Sequence, residues 1–327
     1  MTMMSYIQAV TRALREEMQR DEKVFILGED VGARGGVFRA TEGLYEEFGE
    51  ERVLDTPLAE SAIAGVGIGA AMYGMRPVAE MQFADFIMPA VNQIVSEAAK
   101  IRYRSNNDWS CPITIRAPYG GGVHGALYHS QSVEALFANV PGLKIVMPST
   151  PYDVKGLLKA AIRDDDPVLF FEHKRAYRLI KGEVPEEDYT LPIGKADVKR
   201  DGEDVTVITY GLCVHFALQA AEKLAGEGVS AHILDLRTVY PLDKEAIIEA
   251  ASKTGKVLLI TEANKEGSIM SEVSAIISEN CLFDLDAPVQ RLAGPDVPAM
   301  PYAPTMEKHF MVNPEKVEAA IKDLAEF

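Results

Sequence analysis

The chain has little cysteine and no apolar run of transmembrane length. Its three cysteines, Cys111, Cys213 and Cys281, stand far apart and form no CxxC pair. That spacing excludes a zinc ribbon or a thioredoxin-type motif and fits a reducing compartment, with each thiol expected as a small core residue. No stretch approaches the roughly 18 apolar residues that a membrane-spanning helix needs. Basic residues are outnumbered, 33 against 49 acidic, for a net charge of −16. Such a surface repels nucleic acid and anionic lipid. It either attracts a basic protein partner or only maintains solubility. There is no HExxH, no paired-carboxylate metal motif and no GxSxG elbow, so the adjacent His129 and Ser130 make no hydrolase signature. Met1 to Arg20 reads as an amphipathic helix of mixed charge, and Glu16 and Glu17 argue against a transit peptide. The expected location is cytoplasmic.

What is present is ordinary globular composition, 47% hydrophobic and 25% charged over 327 residues, enough for two cored domains. Short runs rich in Val and Ile predict strands at Val24–Leu27, Pro77–Met81, Ile113–Ala117, Lys144–Met147 and Val168–Glu172. Helical periodicity between them is found over Met88–Arg104 and Tyr152–Arg163. The pattern stalls at Ile180–Leu191, where Gly182, Pro185 and Glu186-Glu187-Asp188 read as a linker. A second series follows, with strands at Val205–Tyr210, Ala231–Leu236, Val257–Thr261 and Val289–Leu292. Helices are expected around Phe216–Ala225 and Ile269–Glu279, and last at Pro314–Ala325 with Asn313 as N-cap. This alternation predicts two doubly wound α/β domains, over residues 1–181 and 203–327, joined by a linker at 182–202.

Asp55-Thr56-Pro57-Leu58-Ala59-Glu60 sets one carboxylate before a segment of small residues: Ala62, Ala64, Gly65, Gly67, Gly69, Ala70, Ala71 and Gly74. A Glu there either complements a helix dipole or loses its water and becomes fit for proton transfer. Gly65-Val66-Gly67-Ile68-Gly69-Ala70 matches a dinucleotide fingerprint in letters, but it follows a helix start instead of a strand. Its glycines read as close-packing positions, with nicotinamide binding as the alternative. Tyr119 to Gln131 is a long Gly-rich loop after a strand, carrying His124 and His129 five residues apart. That spacing is wrong for a metal pair on one helix face, and a loop His beyond a strand end serves either acid–base work or structure. Asp164-Asp165-Asp166-Pro167 reads as a metal loop or as a solvated turn. Glu29, in Gly28-Glu29-Asp30, also sits at a strand end.

Several blocks together carry a resemblance over nearly the whole chain: Gly28-Glu29-Asp30-Val31, Phe48-Gly49 through Asp55-Thr56-Pro57, Glu60, Arg76-Pro77, His129-Ser130-Gln131, Pro141-Gly142-Leu143-Lys144 and Asp235-Leu236-Arg237-Thr238. In this order they resemble the beta subunit of the thiamine-diphosphate-dependent decarboxylase component of 2-oxo acid dehydrogenase complexes. The resemblance implies a transketolase-like architecture, with a pyrimidine-binding domain followed by a transketolase C-terminal-like domain. It implies that Glu60 bonds the aminopyrimidine ring of thiamine diphosphate, that Leu58, Gln82 and Phe86 line that pocket, and that His129 moves a proton during acyl transfer to a lipoyl arm. No GDG occurs in the chain. In the family that motif holds Mg2+ on the alpha subunit, which implies an alpha2beta2 heterotetramer with cofactor at shared sites. A structural K+ is implied at Ile113, Ala161, Ile162, Asp164 and Asp166, although Asp166 stands where relatives commonly have Asn. The dihydrolipoyl acyltransferase core, through its subunit-binding and lipoyl domains, is the further implied partner. The block Glu80 to Phe86 and the block His124 to His129 resemble the branched-chain subfamily; Pro148 to Asp153 and Ile193 to Asp197 also resemble bacterial pyruvate enzymes. Branched-chain 2-oxo acids are the expected substrates, with pyruvate or acetoin next. A non-catalytic or nicotinamide-binding α/β protein is the alternative of another class.

Overall fold

The computed structural model describes all 327 residues, which divide into two compact units. The first comprises Met1–Tyr119 and Leu136–Ile193, the second Gly120–Ala135 and Gly194–Phe327. No helix is long and apolar enough to cross a membrane.

The first unit contains β1 (Thr2–Ser5), β2 (Val24–Gly28), β3 (Val53–Asp55), β4 (Arg76–Glu80), β5 (Thr114–Tyr119), β6 (Lys144–Val146), β7 (Val168–His173) and β8 (Lys181–Val184). A parallel sheet runs in the order β6-β7-β5-β4-β2-β3. Strands β2, β5 and β7 are buried at every position, as strands covered on both faces must be. The five strands read from Val/Ile runs are all present, shifted by a residue or two at their ends. The helix Tyr6–Arg20 opens with a capping box between Ser5 and Gln8. It packs on the helix Pro151–Arg163, where Arg163 Nη2 reaches the buried Glu17 at 2.6 Å.

Two expectations change. Met88–Arg104 is no single α-helix: it runs through 3-10 turns at Ala84–Ala90 and Ala98–Lys100, a π turn at Gln93–Glu97 and a short α-helix at Ile101–Arg104. Pro89 removes a backbone donor, and the π turn interrupts the regular ladder. Arg102 and Arg104 bond to Asp166 and Glu97. The stretch 182–202, read as a linker, holds ordered strands. β8 pairs antiparallel with β1, and the later β9 (Asp197–Arg200) joins the second unit's sheet.

That sheet also contains β10 (Val205–Thr209), β11 (Ala231–Asp235), β13 (Val257–Asn264) and β14 (Gln290–Gly294), in the order β14-β13-β10-β11-β9; β12 (Thr238–Tyr240) is a short strand between β11 and β13 in sequence. All neighbours are parallel except β9, which runs antiparallel to β11. Helices Leu212–Ala225 and Pro314–Ala325 pack together, as do Lys244–Thr254 and Ile269–Asn280. Asn313 accepts from the Lys316 backbone N–H at 3.0 Å, the N-cap expected of it.

Three adjacent strands of the first unit are joined by one buried guanidinium. Arg116 on β5 lies in register with Glu80 on β4 and Phe170 on β7. Side chains alternate along a strand, so Glu172, two residues past Phe170, shares that residue's face. Arg116 Nη1 meets Glu80 at 2.6 Å, while Nε and Nη2 grip the two oxygens of Glu172 at 2.6 and 2.7 Å. The Tyr177 hydroxyl donates to Glu172 at 2.6 Å. Removing one partner from such a cluster strands the others without water. Arg116→Ala is expected to cost about 3–5 kcal/mol in chemical unfolding; a loss below about 1 kcal/mol would show that the cluster is not holding these strands.

Candidate active site

Ligands in open parallel sheets bind beyond the carboxyl ends of the strands. In the first unit, β2, β3 and β4 deliver to that edge Glu29-Asp30, Asp55 to Glu60, and Gln82 to Phe86. Gly28 lets β2 and β4 approach, since a Cβ there would stand 2.7 Å from the Glu80 carbonyl oxygen. Thr56 N–H donates to the Gly28 carbonyl at 2.9 Å, and Gly32 N–H to Asp55 at 2.6 Å. The loop after β3 is therefore tied to the loop after β2.

Glu60 is the first residue of the helix Glu60–Met72 and is 8% exposed. The helix start expected before the glycines is present, so Gly65, Gly67 and Gly69 lie inside a helix and form no dinucleotide turn. Gly67 is a close-packing position, with Ile113 Cδ1 2.8 Å from where a Cβ would stand. Gly65 and Gly69 are not: with Ala62, Val66 and Tyr73 they lie on an exposed face.

Beside Glu60 lies Glu29, 7% exposed, whose Oε1 has no hydrogen-bond partner. Burial pushes its carboxyl above the usual range, and the neighbouring charges of Glu60 and Asp30 add to the shift, against a backbone hydrogen bond from Ala59. The one signal of Glu29 in the sequence is Gly-Glu-Asp at a strand end. Asp30 adopts φ 58°, a conformation costly for a non-glycine residue, and accepts from Gln82 Nε2 at 3.4 Å. Phe86 stands edge-on to Phe83 with ring centroids 5.3 Å apart, and Phe83 lies under the Lys174 ammonium at 5.5 Å. Leu58 is 79% exposed. Leu58, Glu60, Gln82 and Phe86 thus all belong to loops or helix starts at one sheet edge. A buried carboxyl, a carboxyl oxygen without a partner, an amide and an aromatic face suit a flat heteroaromatic ring with polar edges.

His129 belongs to the second unit. It follows a single 3-10 turn, Ala126–Tyr128, and is half-buried. The ends of its loop are closed by Gly120 N–H donating to the Gln131 carbonyl at 3.0 Å. Just past the loop, Glu134 is buried and accepts from the Tyr210 hydroxyl at 2.7 Å; burial raises its carboxyl.

At the loop where a structural K+ is implied, the acidic side chains pair with protein cations. Both Asp164 oxygens lie 2.7 Å from the Lys144 ammonium, and Asp166 receives Arg102 Nε at 2.5 Å. Arg76 donates to the Ile162 carbonyl at 3.1 Å. The Ala161 and Ile113 carbonyls accept from the backbone N–H groups of Asp164 and Val168. No cluster of His, Cys, Asp or Glu is grouped to hold a metal. All three cysteines are buried, and burial with the nearby Asp166 charge pushes Cys111 up to about 12, the mark of an inert thiol.

Glu29 generates a test. An acid whose folded pKa is raised stabilises the fold below its unfolded pKa, and that stability is lost as pH rises through the folded value. Glu29→Gln is therefore expected to match the parent in acid and to become the more stable protein as pH rises to neutrality. Parallel unfolding curves across that pH range, with a constant gap, would refute the buried-acid description.

Comparison with known proteins agrees with this geometry. Residues 2–180 match the family described as "Transketolase, pyrimidine binding domain", and residues 194–317 match "Transketolase, C-terminal domain". The chain is 84% identical over 327 residues to "2-oxoisovalerate dehydrogenase subunit beta" of Bacillus subtilis (strain 168), covering 100% of both proteins. It is 53% identical over 296 residues to "Pyruvate dehydrogenase E1 component subunit beta" of the same organism, covering 90% of this chain and 91% of the relative. A solved structure titled "Split gene transketolase, inactive beta4 tetramer" shares the fold with a TM-score of 0.81 at 24% identity, over 99% of this chain and 98% of that one. With full-length relatives of this identity and both transketolase domains in order, the chain belongs to the family of 2-oxo acid dehydrogenase beta subunits.

Proposed function

We propose that this chain is the beta subunit of a thiamine-diphosphate-dependent decarboxylase component that acts on branched-chain 2-oxo acids and passes the acyl group to lipoyl groups of an acyltransferase core. The carrying observation is the buried Glu60 at a helix start on the carboxyl edge of the sheet, with the raised carboxyl of Glu29 beside it. The 84% identity to a 2-oxoisovalerate dehydrogenase subunit supports the branched-chain reading. Residues 1–181 are read as the pyrimidine-binding domain, apart from the Gly120–Ala135 loop that groups with the second unit, and 203–327 as the C-terminal domain, with the ordered stretch 182–202 between them.

Thiamine diphosphate, when bound, supplies the carbon nucleophile and the electron sink that decarboxylation of a 2-oxo acid requires. Glu60 holds the proton at the aminopyrimidine ring nitrogen, where the low dielectric of its burial strengthens that bond. Gln82 offers amide hydrogen bonds to the ring edge, and Phe86 and Leu58 offer apolar contact to its faces. His129 moves a proton during acyl transfer, a task suited to imidazole near neutral pH.

Two features support a partner chain. Leu58 is exposed, and one face of the Glu60–Met72 helix presents Ala62, Gly65, Val66 and Gly69 to solvent. Small residues let another backbone approach closely. The partner is the alpha subunit, in an alpha2beta2 assembly, and it supplies the Mg2+ that anchors the pyrophosphate.

Reconstituted alpha–beta enzyme with Glu60→Gln is expected to assemble yet lose at least about 100-fold in turnover; near-parental turnover would remove the assigned role. His129→Ala should impair acyl transfer to lipoamide more than decarboxylation, measured with an artificial acceptor, and equal losses would contradict the transfer role. Against pyruvate, 2-oxoisovalerate is expected to have a kcat/KM higher by about 10-fold or more. A preference for pyruvate would reassign the substrate.

A further inference from the structure

Two buried carboxylates of the second unit hold the His129 loop by its backbone. Glu262, on β13, accepts from Gly121 N–H at 2.6 Å. Glu307, in the helix Pro304–Phe310 and 3% exposed, does more. Its Oε1 accepts from the N–H groups of Gly122 and His124 at 3.1 and 3.2 Å, while Oε2 meets His124 Nδ1 at 2.6 Å. One carboxylate thus gathers two main-chain donors and a ring across a turn of three residues. The turn needs such help. His124 and Ala126 adopt φ 57° and 52°, which side-chain-bearing residues rarely take. Between them, Gly125 presses on the histidine of interest. A Cβ at Gly125 would lie 2.7 Å from both Cβ and the carbonyl oxygen of His129, and 3.0 Å from Ser130 Oγ.

We propose that Glu307 is a positioning residue for His129: it fixes the 122–125 turn, and that turn, through Gly125, sets the place of His129. This rests on the reading of His129 in acyl transfer. The His124 side chain is 56% exposed and is the dispensable part of the anchor. Its loss leaves both main-chain donors on Glu307.

The test uses reconstituted alpha–beta holoenzyme with thiamine diphosphate and Mg2+. Two rates are read for each variant: decarboxylation of 2-oxoisovalerate with an artificial electron acceptor, and acylation of a free lipoyl domain. Misplacing an acid–base group by about 1 Å costs on the order of 100-fold. Glu307→Ala is therefore expected to lower acyl transfer by about 10- to 100-fold, while decarboxylation falls by less than about threefold. Glu307→Gln, which keeps an acceptor oxygen for the main chain, should recover most of that loss. His124→Ala should transfer within about threefold of the parent. Gly125→Ala leaves Glu307 in place and strikes the contact with His129 and its neighbour Ser130, so the same transfer-selective loss is expected and the proposal stays testable if Glu307→Ala does not fold. Parental transfer by Glu307→Ala or by Gly125→Ala, where His129→Ala is impaired, overturns the positioning role and leaves the reading of His129 standing. Equal losses in both rates for Glu307→Ala, with no recovery in Glu307→Gln, overturn it too. If His129→Ala itself transfers at the parental rate, the reading of His129 falls first and the positioning role with it.

Discussion

Negative charge collected at the carboxyl edge of a parallel sheet is the constraint around which the first unit is built. Glu29, Glu60, Glu80 and Glu172 are all buried there or nearby. Glu80 and Glu172 are held by the Arg116 fork, reinforced by the Tyr177 hydroxyl. A bidentate guanidinium matches carboxylate geometry and stays charged in a dry interior, which a lysine would do less dependably. Because Arg116 binds strands on both sides of its own, it welds β4, β5 and β7 at the level where the loops leave the sheet. Glu29 and Glu60 follow the next strands along the sheet, β2 and β3, and β2 pairs directly with the clamped β4.

Both oxygens of Glu172 and Oε2 of Glu80 are taken by the Arg116 fork and Tyr177, and burial raises the Glu80 carboxyl as it raises that of Glu29, which keeps a buried oxygen without a partner. The same edge therefore carries carboxylates in two conditions. One pair is neutralised and structural. The other pair has no guanidinium between its members, and the Glu60 charge adds to the burial that raises Glu29. Environment, not residue type, separates the two.

The second unit uses carboxylates differently. Glu262 and Glu307 accept main-chain N–H groups from the Gly-rich loop and so impose a path that includes positive φ at His124 and Ala126. The acidic triplet Asp164-Asp165-Asp166 shows a third use, as a turn clamped by Arg76, Arg102 and Lys144. Side chains distant in sequence supply the cations that its carboxylates meet.

Alternation of β-branched runs with helical periodicity determined the two α/β series, because burial on both faces of a strand and on one face of a helix leaves a local, periodic trace. The helix after Glu60 was legible from its start, though of its glycines read as close-packing only Gly67 is one, and Asn313-Pro314 marked the final helix. Met88–Arg104 was legible as helical but not as broken, since Pro89 marks one interruption and the π turn leaves no compositional sign. β1 and β8 were missed because each is four residues long and pairs with a strand far away in sequence. What only the tertiary structure decided is which charges meet. Arg116 finds Glu80 and Glu172 across separations of 36 and 56 residues, and Glu307 finds the His124 backbone across 183. Sequence fixes the identity of a charged group, but its burial, partner and protonation follow from the neighbours that folding brings within a few ångströms.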